Sequence, residues 1–460
     1  TDRPTTVGAL RASGHDQRGV KDEIRANLLT ALRAGRDPWP GIVGFDATVL
    51  PQLERALIAG HDIVLLGERG QGKTRLLRAL AGLLDEWTPV IDGSELGEHP
   101  YDPITPQSRR RAAALGDDLP VGWRHRGERY IEKLATPDTA VADLIGDVDP
   151  VKVAEGRSLG DPETIHYGLV PRAHRGVVAI NELPDLAERI QVALLNVMEE
   201  RDIQVRGYTL RLPLDVLLVA SANPEDYTNR GRIITPLKDR FGAEVRTHYP
   251  LTVHDEITLV EQEAALVAEV PRHLLEVVAR FTRSLRESSA IDQGSGVSAR
   301  FAVAAAETIA AAALRRAAIT GEERAYARPV DLDGLPAVLR GKLEFAAGEE
   351  GREHEHLTHL LRRATADTAR ARLRGIDLNP LAEAVAAAPV RTGENVPAIE
   401  VVAALPVTDD LTEVATLLGA SGTEDPGPMA SAAELALELL FLTRRLSKEA
   451  SDDGTTVAYG

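Results

Sequence analysis

Gly67-Glu68-Arg69-Gly70-Gln71-Gly72-Lys73-Thr74 follows the apolar run Ile63-Val64-Leu65-Leu66 and opens a helical pattern from Arg75 to Leu84. A glycine-rich loop between a strand and a helix, closed by Lys-Thr, is a P-loop in the context the motif requires. Its glycines let backbone N–H groups curl around a phosphate, and the helix N-terminus adds partial positive charge at the same place. Lys73 has the reach for β- and γ-phosphates, and the Thr74 hydroxyl can ligate Mg²⁺. Gly67 through Thr74 are therefore the expected ATP-binding residues, and the fold class that follows is α/β with a parallel sheet.

A second apolar strand, Gly176-Val177-Val178-Ala179-Ile180, ends in Asn181-Glu182 and runs into the amphipathic pattern Leu186 to Met198. A carboxylate at the carboxyl end of a parallel strand beside a P-loop can polarise water for attack on a γ-phosphate, which makes Glu182 the candidate base. The preceding position, where an aspartate normally holds the Mg²⁺ shell of a Walker B strand, is Asn181. An amide still bonds a metal-bound water but gives up a charge, so Asn181→Asp is expected to tighten Mg²⁺ dependence.

The third strand, Val216-Leu217-Leu218-Val219-Ala220, runs into Ser221-Ala222-Asn223-Pro224 and delivers Asn223 to the same sheet edge as a sensor of the γ-phosphate. Downstream, Arg240 in Leu237-Lys238-Asp239-Arg240-Phe241 and Arg300 in Gly296-Val297-Ser298-Ala299-Arg300 are candidate γ-phosphate contacts. Arg240 would reach in from a neighbouring subunit and Arg300 from a lid.

Composition narrows the alternatives. The chain has 460 residues, 43% of them apolar, enough for two to four domains. It has no cysteine, which excludes disulfides, thiolate metal sites and thiol nucleophiles. A net charge of -17 and only 4% aromatic residues disfavour nucleic acid as a partner. The polar N-terminus and the charges that interrupt Phe301 to Ala318 give no signal peptide or membrane span, so the expected location is cytoplasmic. His354, His356 and His359 invite a metal reading, but their charged neighbours favour an exposed helix face.

Taken in order, these motifs resemble an AAA+ ATPase of the magnesium chelatase I subunit and MoxR clade. Gly41-Ile42-Val43-Gly44 is similar to the clade's entry motif. So are Glu98-His99-Pro100-Tyr101-Asp102-Pro103, Leu134-Ala135-Thr136-Pro137-Asp138, Asp143 to Asp149 and Tyr167 to Gly176 to the segments between its Walker motifs. The resemblance is specific from about Gly41 to Phe241. It implies a helix-2 insertion around Asp147 to Tyr167 and a hairpin before the sensor strand around Ile203 to Leu212, and Ile203-Gln204-Val205 and Thr209-Leu210-Arg211-Leu212 alternate as hairpin arms do. It further implies ATP and Mg²⁺ as cofactors, a homo-oligomeric, hexameric ring, and a partner protein carrying a von Willebrand A domain. Two rival readings are a nucleotide-gated scaffold with little turnover, motivated by Asn181, and a transcriptional or nucleic-acid motor. The Gly-Ala-Phe-Thr-Gly-Ala loop of sigma-54 activators is absent.

The expected division is an N-terminal helical extension (1–39), an αβα core (40–250), an all-α lid (251–375) and a mostly helical C-terminal extension (376–460). In the last, Ala420 to Pro428 reads as a linker. Ala432 to Leu446 reads as an apolar-faced helix that packs within the chain or docks a partner.

Overall fold

The computed structural model describes residues 3–155, 162–200, 202–205, 208–224, 232–292, 295–406, 408–422, 424–451 and 455–460. The chain divides into two compact units, Thr1–His248 and Tyr249–Gly460.

In the first unit, five strands form one sheet in the order Ala243–Arg246, Ile63–Leu66, Val216–Ala222, Gly176–Asn181, Tyr130–Leu134. Every pairing is parallel. Parallel strands need crossovers, and here these put helices on both faces, so the strands carry apolar side chains on both sides. Successive residues separate as the two-residue period demands. Val64, Leu66, Val178, Ile180, Leu218 and Ala220 pack into one core, and Ile63, Leu65, Val177, Ala179, Leu217 and Val219 into the other. The second core also receives Leu76 and Leu77 from the helix Lys73–Ala79. The product is a three-layer αβα sandwich with all five strand carboxyl ends at one edge, where Lys73, Thr74, Asn181, Glu182 and Asn223 come together.

Residues assigned to an N-terminal extension are built into this sandwich. Val20, Ile24 and Leu28 of the helix Val20–Arg33 are buried in the second core. The same helix contributes Glu23, whose carboxylate accepts both terminal nitrogens of Arg129 at 2.8 and 2.6 Å with both side chains buried. The hairpin before the sensor strand is present, with Asp202–Val205 antiparallel to Tyr208–Arg211, while its turn at 206–207 lies outside the described residues. Part of the expected insertion, 156–161, does too; its flanks Gly146–Val148 and Ile165–Tyr167 pair antiparallel. The predicted helix Arg75 to Leu84 is shorter than expected: α-helix covers Lys73–Ala79 and tightens to a 3₁₀ turn over Leu80–Leu83.

The second unit is mainly helical. Val253–Glu263, Arg272–Glu287, Ala299–Thr320 and Glu353–Arg372 surround one apolar cluster. The first of these is capped by Thr252, whose hydroxyl accepts the Asp255 N–H. A further cluster is organised around Pro426–Leu442, whose Ala432, Leu435, Ala436, Leu437 and Leu440 are buried. That helix therefore packs within the chain, and it begins inside the stretch read as a linker. The stretch read as a polar tail instead supplies two strands, Lys448–Ala450 and Thr456–Tyr459. They join Val390–Gly393 in a small antiparallel sheet that sequence reading missed. His356 lies near the start of Glu353–Arg372 and pairs with Glu349 at 2.6 Å; among the described residues no cluster of metal-ligating side chains is found.

Candidate active site

The P-loop backbone takes the shape its glycines permit. Gly70 and Gly72 have φ of +75° and +76°, the left-handed region that side chains disfavour. A Cβ at Gly67 would collide with the Thr247 hydroxyl and the Gln71 side chain. Gln71 is buried there, and its Oε1 accepts the Glu68 N–H at 3.1 Å and the Thr247 hydroxyl at 2.8 Å, which braces the loop from within. Arg69 points to solvent.

Lys73 is buried at the first position of the P-loop helix, and its ammonium donates to the carbonyl oxygens of Gly67 and Glu68 and to Asn223 Oδ1 at 2.7 Å. Asn223 follows the strand Val216–Ala222 directly and is itself buried. Its other end donates from Nδ2 to Glu182 Oε2 at 2.7 Å. One amide thus joins the P-loop lysine to the candidate base.

Glu182 sits one residue past its strand with φ 57° and ψ 48°, a left-handed conformation that non-glycine residues seldom adopt. Its N–H donates to Ser221 Oγ at 3.2 Å, and its carbonyl accepts the Asp185 N–H at 2.9 Å, so the turn is held from both sides. Backbone held in such a conformation costs on the order of 1–3 kcal/mol, and the surrounding bonds must over-determine it.

Asn181 is buried and its hydrogen bonds fix the amide orientation. Oδ1 accepts from Ser221 Oγ at 3.1 Å and from Thr74 Oγ1 at 3.4 Å, while Nδ2 donates to Glu132 Oε1 at 2.7 Å. Sequence reading missed Glu132. It lies on the edge strand Tyr130–Leu134, whose Leu134 is the register partner of Asn181. Arg78, four residues after Thr74 on the P-loop helix, donates to both oxygens of Glu132 at 2.8 and 3.0 Å. Those charged hydrogen bonds hold the Glu132 carboxyl below the usual carboxylate range, against the opposing effect of burial.

The two arginines stand differently. Arg240 ends the short helix Thr235–Arg240, is exposed, and pairs with Glu199. Arg300 belongs to the second unit, exposed at the second position of Ala299–Thr320.

The sequence has relatives that match this region. The sigma-54 interaction domain family model matches residues 156–240. The magnesium-chelatase subunit ChlI of a Nostoc species is 27% identical over 245 residues, 52% of this chain and 61% of that protein. The magnesium-chelatase 38 kDa subunit of Cereibacter sphaeroides is 29% identical over 245 residues, 50% of this chain and 65% of that protein. The chain thus spans about three-fifths of the length of the curated relatives it matches. Among solved structures, the complex between subunits BchI and BchD of magnesium chelatase aligns over 70% of this chain and 98% of that one. Its TM-score is 0.36 and its identity 21%. With the P-loop, the candidate acid and the candidate sensor amide on one edge of an αβα sheet, the chain is similar over about half its length to the magnesium-chelatase I subunits.

Proposed function

We propose that this chain binds ATP with Mg²⁺ at Gly67–Thr74 and hydrolyses it, as a subunit of a hexameric ring that remodels a partner complex. The observation that carries the reading is the bridge from Lys73 through Asn223 to Glu182. It ties the charge that meets the phosphates to the carboxylate that accepts a proton from the attacking water. The same amide can orient that water, because it already fixes the carboxylate's position.

The residues present suit the cofactor. The left-handed glycines and the brace under Gly67 shape the cradle, and Thr74 Oγ1 and Asn181 Oδ1 offer the hard oxygen ligands that Mg²⁺ prefers. When bound, Mg²⁺ neutralises charge on the β- and γ-phosphates. Arg240 would act from the neighbouring subunit and Arg300 from the lid. The partner would carry a von Willebrand A domain, as the resemblance to the chelatase and MoxR clade implies, and the setting would be cytoplasmic. Among the described residues no helix is long and apolar enough to cross a membrane.

Two other readings keep one observation each. Asn181 supports a scaffold that binds ATP without turning it over. The match to the sigma-54 interaction domain supports a transcriptional motor, which the net charge of -17 and the missing Gly-Ala-Phe-Thr-Gly-Ala loop oppose. Steady-state ATPase assays of the purified chain, alone and with the proteins that co-purify with it, test the proposal. Turnover that depends on Glu182 supports it; ATP binding without turnover under every condition gives the scaffold reading.

A further inference from the structure

The strand that delivers Glu182 ends in an amide where a carboxylate would serve a cation better, yet a carboxylate is one hydrogen bond away. Glu132 and Leu134 project on the same face of the sheet, and Leu134 pairs with Asn181 in register. That face carries the P-loop helix, whose Thr74 and Arg78 are one turn apart and so lie on one side of it. The result is a closed circuit. Thr74 donates to Asn181, Asn181 donates to Glu132, Glu132 accepts both prongs of Arg78, and the helix returns to Thr74.

We propose that Glu132 supplies the negative charge of the cation site that Asn181 lacks, acting through Asn181 as a positioning residue, with Arg78 holding it in place. This rests on the ATP–Mg²⁺ reading of the P-loop. Glu132 also dictates the amide's orientation: a carboxylate can only accept, so it draws Nδ2 and turns Oδ1 toward Thr74. The Arg78 partner does not cancel the charge at the site, because its side chain is 65% exposed and water-screened whereas that of Glu132 is 22% exposed. The asparagine is then a complement to Glu132 and not a loss. An aspartate at 181 would face the Glu132 carboxylate across a 2.7 Å contact with no proton between them. The expectation that Asn181→Asp tightens Mg²⁺ dependence is thereby reversed.

The test uses the full chain with Mn²⁺ as the probe, its affinity read by electron paramagnetic resonance in the presence of saturating AMP-PNP. AMP-PNP affinity in EDTA and the melting temperature are measured alongside. Glu132→Gln keeps an acceptor for Asn181 but removes the charge, and should weaken Mn²⁺ about tenfold, at the low end of what outer-shell partners contribute, with AMP-PNP affinity in EDTA unchanged. Asn181→Asp alone should also bind Mn²⁺ more weakly than wild type, and the double variant Glu132→Gln/Asn181→Asp should recover most of the loss because it again has one carboxylate and one amide. A Glu132→Gln protein with wild-type Mn²⁺ affinity, a double variant no better than it, or tighter Mn²⁺ binding in Asn181→Asp would each overturn the assignment. A mere tie between helix and strand would lower the melting temperature without moving the Mn²⁺ affinity. A wild-type chain that binds no AMP-PNP at all would instead overturn the ATP reading beneath it.

Discussion

Asn223 Nδ2 donates to Glu182 Oε2 at 2.7 Å while Asn223 Oδ1 accepts from Lys73 at the same distance. The side chain therefore cannot rotate without giving up both partners. Replacing it by alanine leaves a buried ammonium short of an acceptor and a carboxylate short of a donor. Asn223→Ala should lower kcat by ~10²-fold through misplacement of the base, with ATP affinity changed far less; single-turnover kinetics beside calorimetry would separate the two.

On the proposed reading Lys73 is the fixed positive charge of a phosphate cradle, and its ammonium donates to the loop's own carbonyls and to Asn223. Lys73→Ala should abolish measurable ATP binding with the fold intact by circular dichroism. A folded variant with wild-type affinity in calorimetry would end the P-loop reading.

Glu182→Gln keeps the acceptor for Asn223 and removes the base. It should trap ATP and cut turnover by about 10²-fold or more, seen as bound ATP that survives gel filtration. Turnover equal to wild type would transfer the base role elsewhere.

Arg240 is paired with Glu199 at the surface, with side chains 48% and 34% exposed. Exposed pairs of this kind hold with only about 0–1 kcal/mol, so the pair does not prevent the arginine from turning to a neighbouring subunit. Arg240→Ala should bind ATP normally and lose turnover, and mixing it with Glu182→Gln should restore part of the activity, since some interfaces then join an intact acid to an intact arginine. Full ATPase activity in Arg240→Ala alone, or a strictly monomeric ATP-bound wild type by light scattering, would exclude the trans role.

Acid stability provides a separate handle. Burial, reinforced by Arg175 and Arg124, pushes the His174 pKa down to about 3, and its Nδ1 accepts the Asp215 N–H. The unfolded chain takes up this proton near pH 6.5 and the native one near 3, so the neutral histidine stabilises fully above 6.5 and the contribution is lost as pH falls toward 3. His174→Asn offers an oxygen to the same N–H and does not titrate. Denaturant unfolding between pH 6 and 4 should show a stability slope shallower by up to about 1.4 kcal/mol per pH unit; an unchanged slope would mean that His174 is protonated in the folded chain.

The P-loop, Glu182 and Asn223 were legible as candidates because each is a local signal: an apolar run followed at once by a glycine-rich loop, a carboxylate or an amide. The strand bounds shifted little, Val216–Ala222 where Val216 to Ala220 was expected. Glu132 was illegible because Tyr130-Ile131-Glu132-Lys133-Leu134 has charges at its centre, and its membership of the sheet rests on pairing with Gly176–Asn181, far along the chain. Ser221 carries no signal of its own, since a serine in a strand says nothing until it is seen holding both Asn181 and the Glu182 N–H. The small C-terminal sheet was missed for the same reason, because Val390–Gly393 and Thr456–Tyr459 are short and find each other across more than one intervening helix.

The buried bond between Glu23 and Arg129 has a practical reach beyond the sheet it steadies. Arg129 also donates from Nε to the Arg175 carbonyl, immediately ahead of the strand that carries Asn181. Shortening the chain to start at Gly41 would remove the counter-ion of that guanidinium together with Val20, Ile24 and Leu28, which pack into the core beneath the sheet. Residues 1–39 are thus no dispensable leash: trimming them for crystallisation or display would loosen the floor under the candidate site, from a cut made far away in sequence.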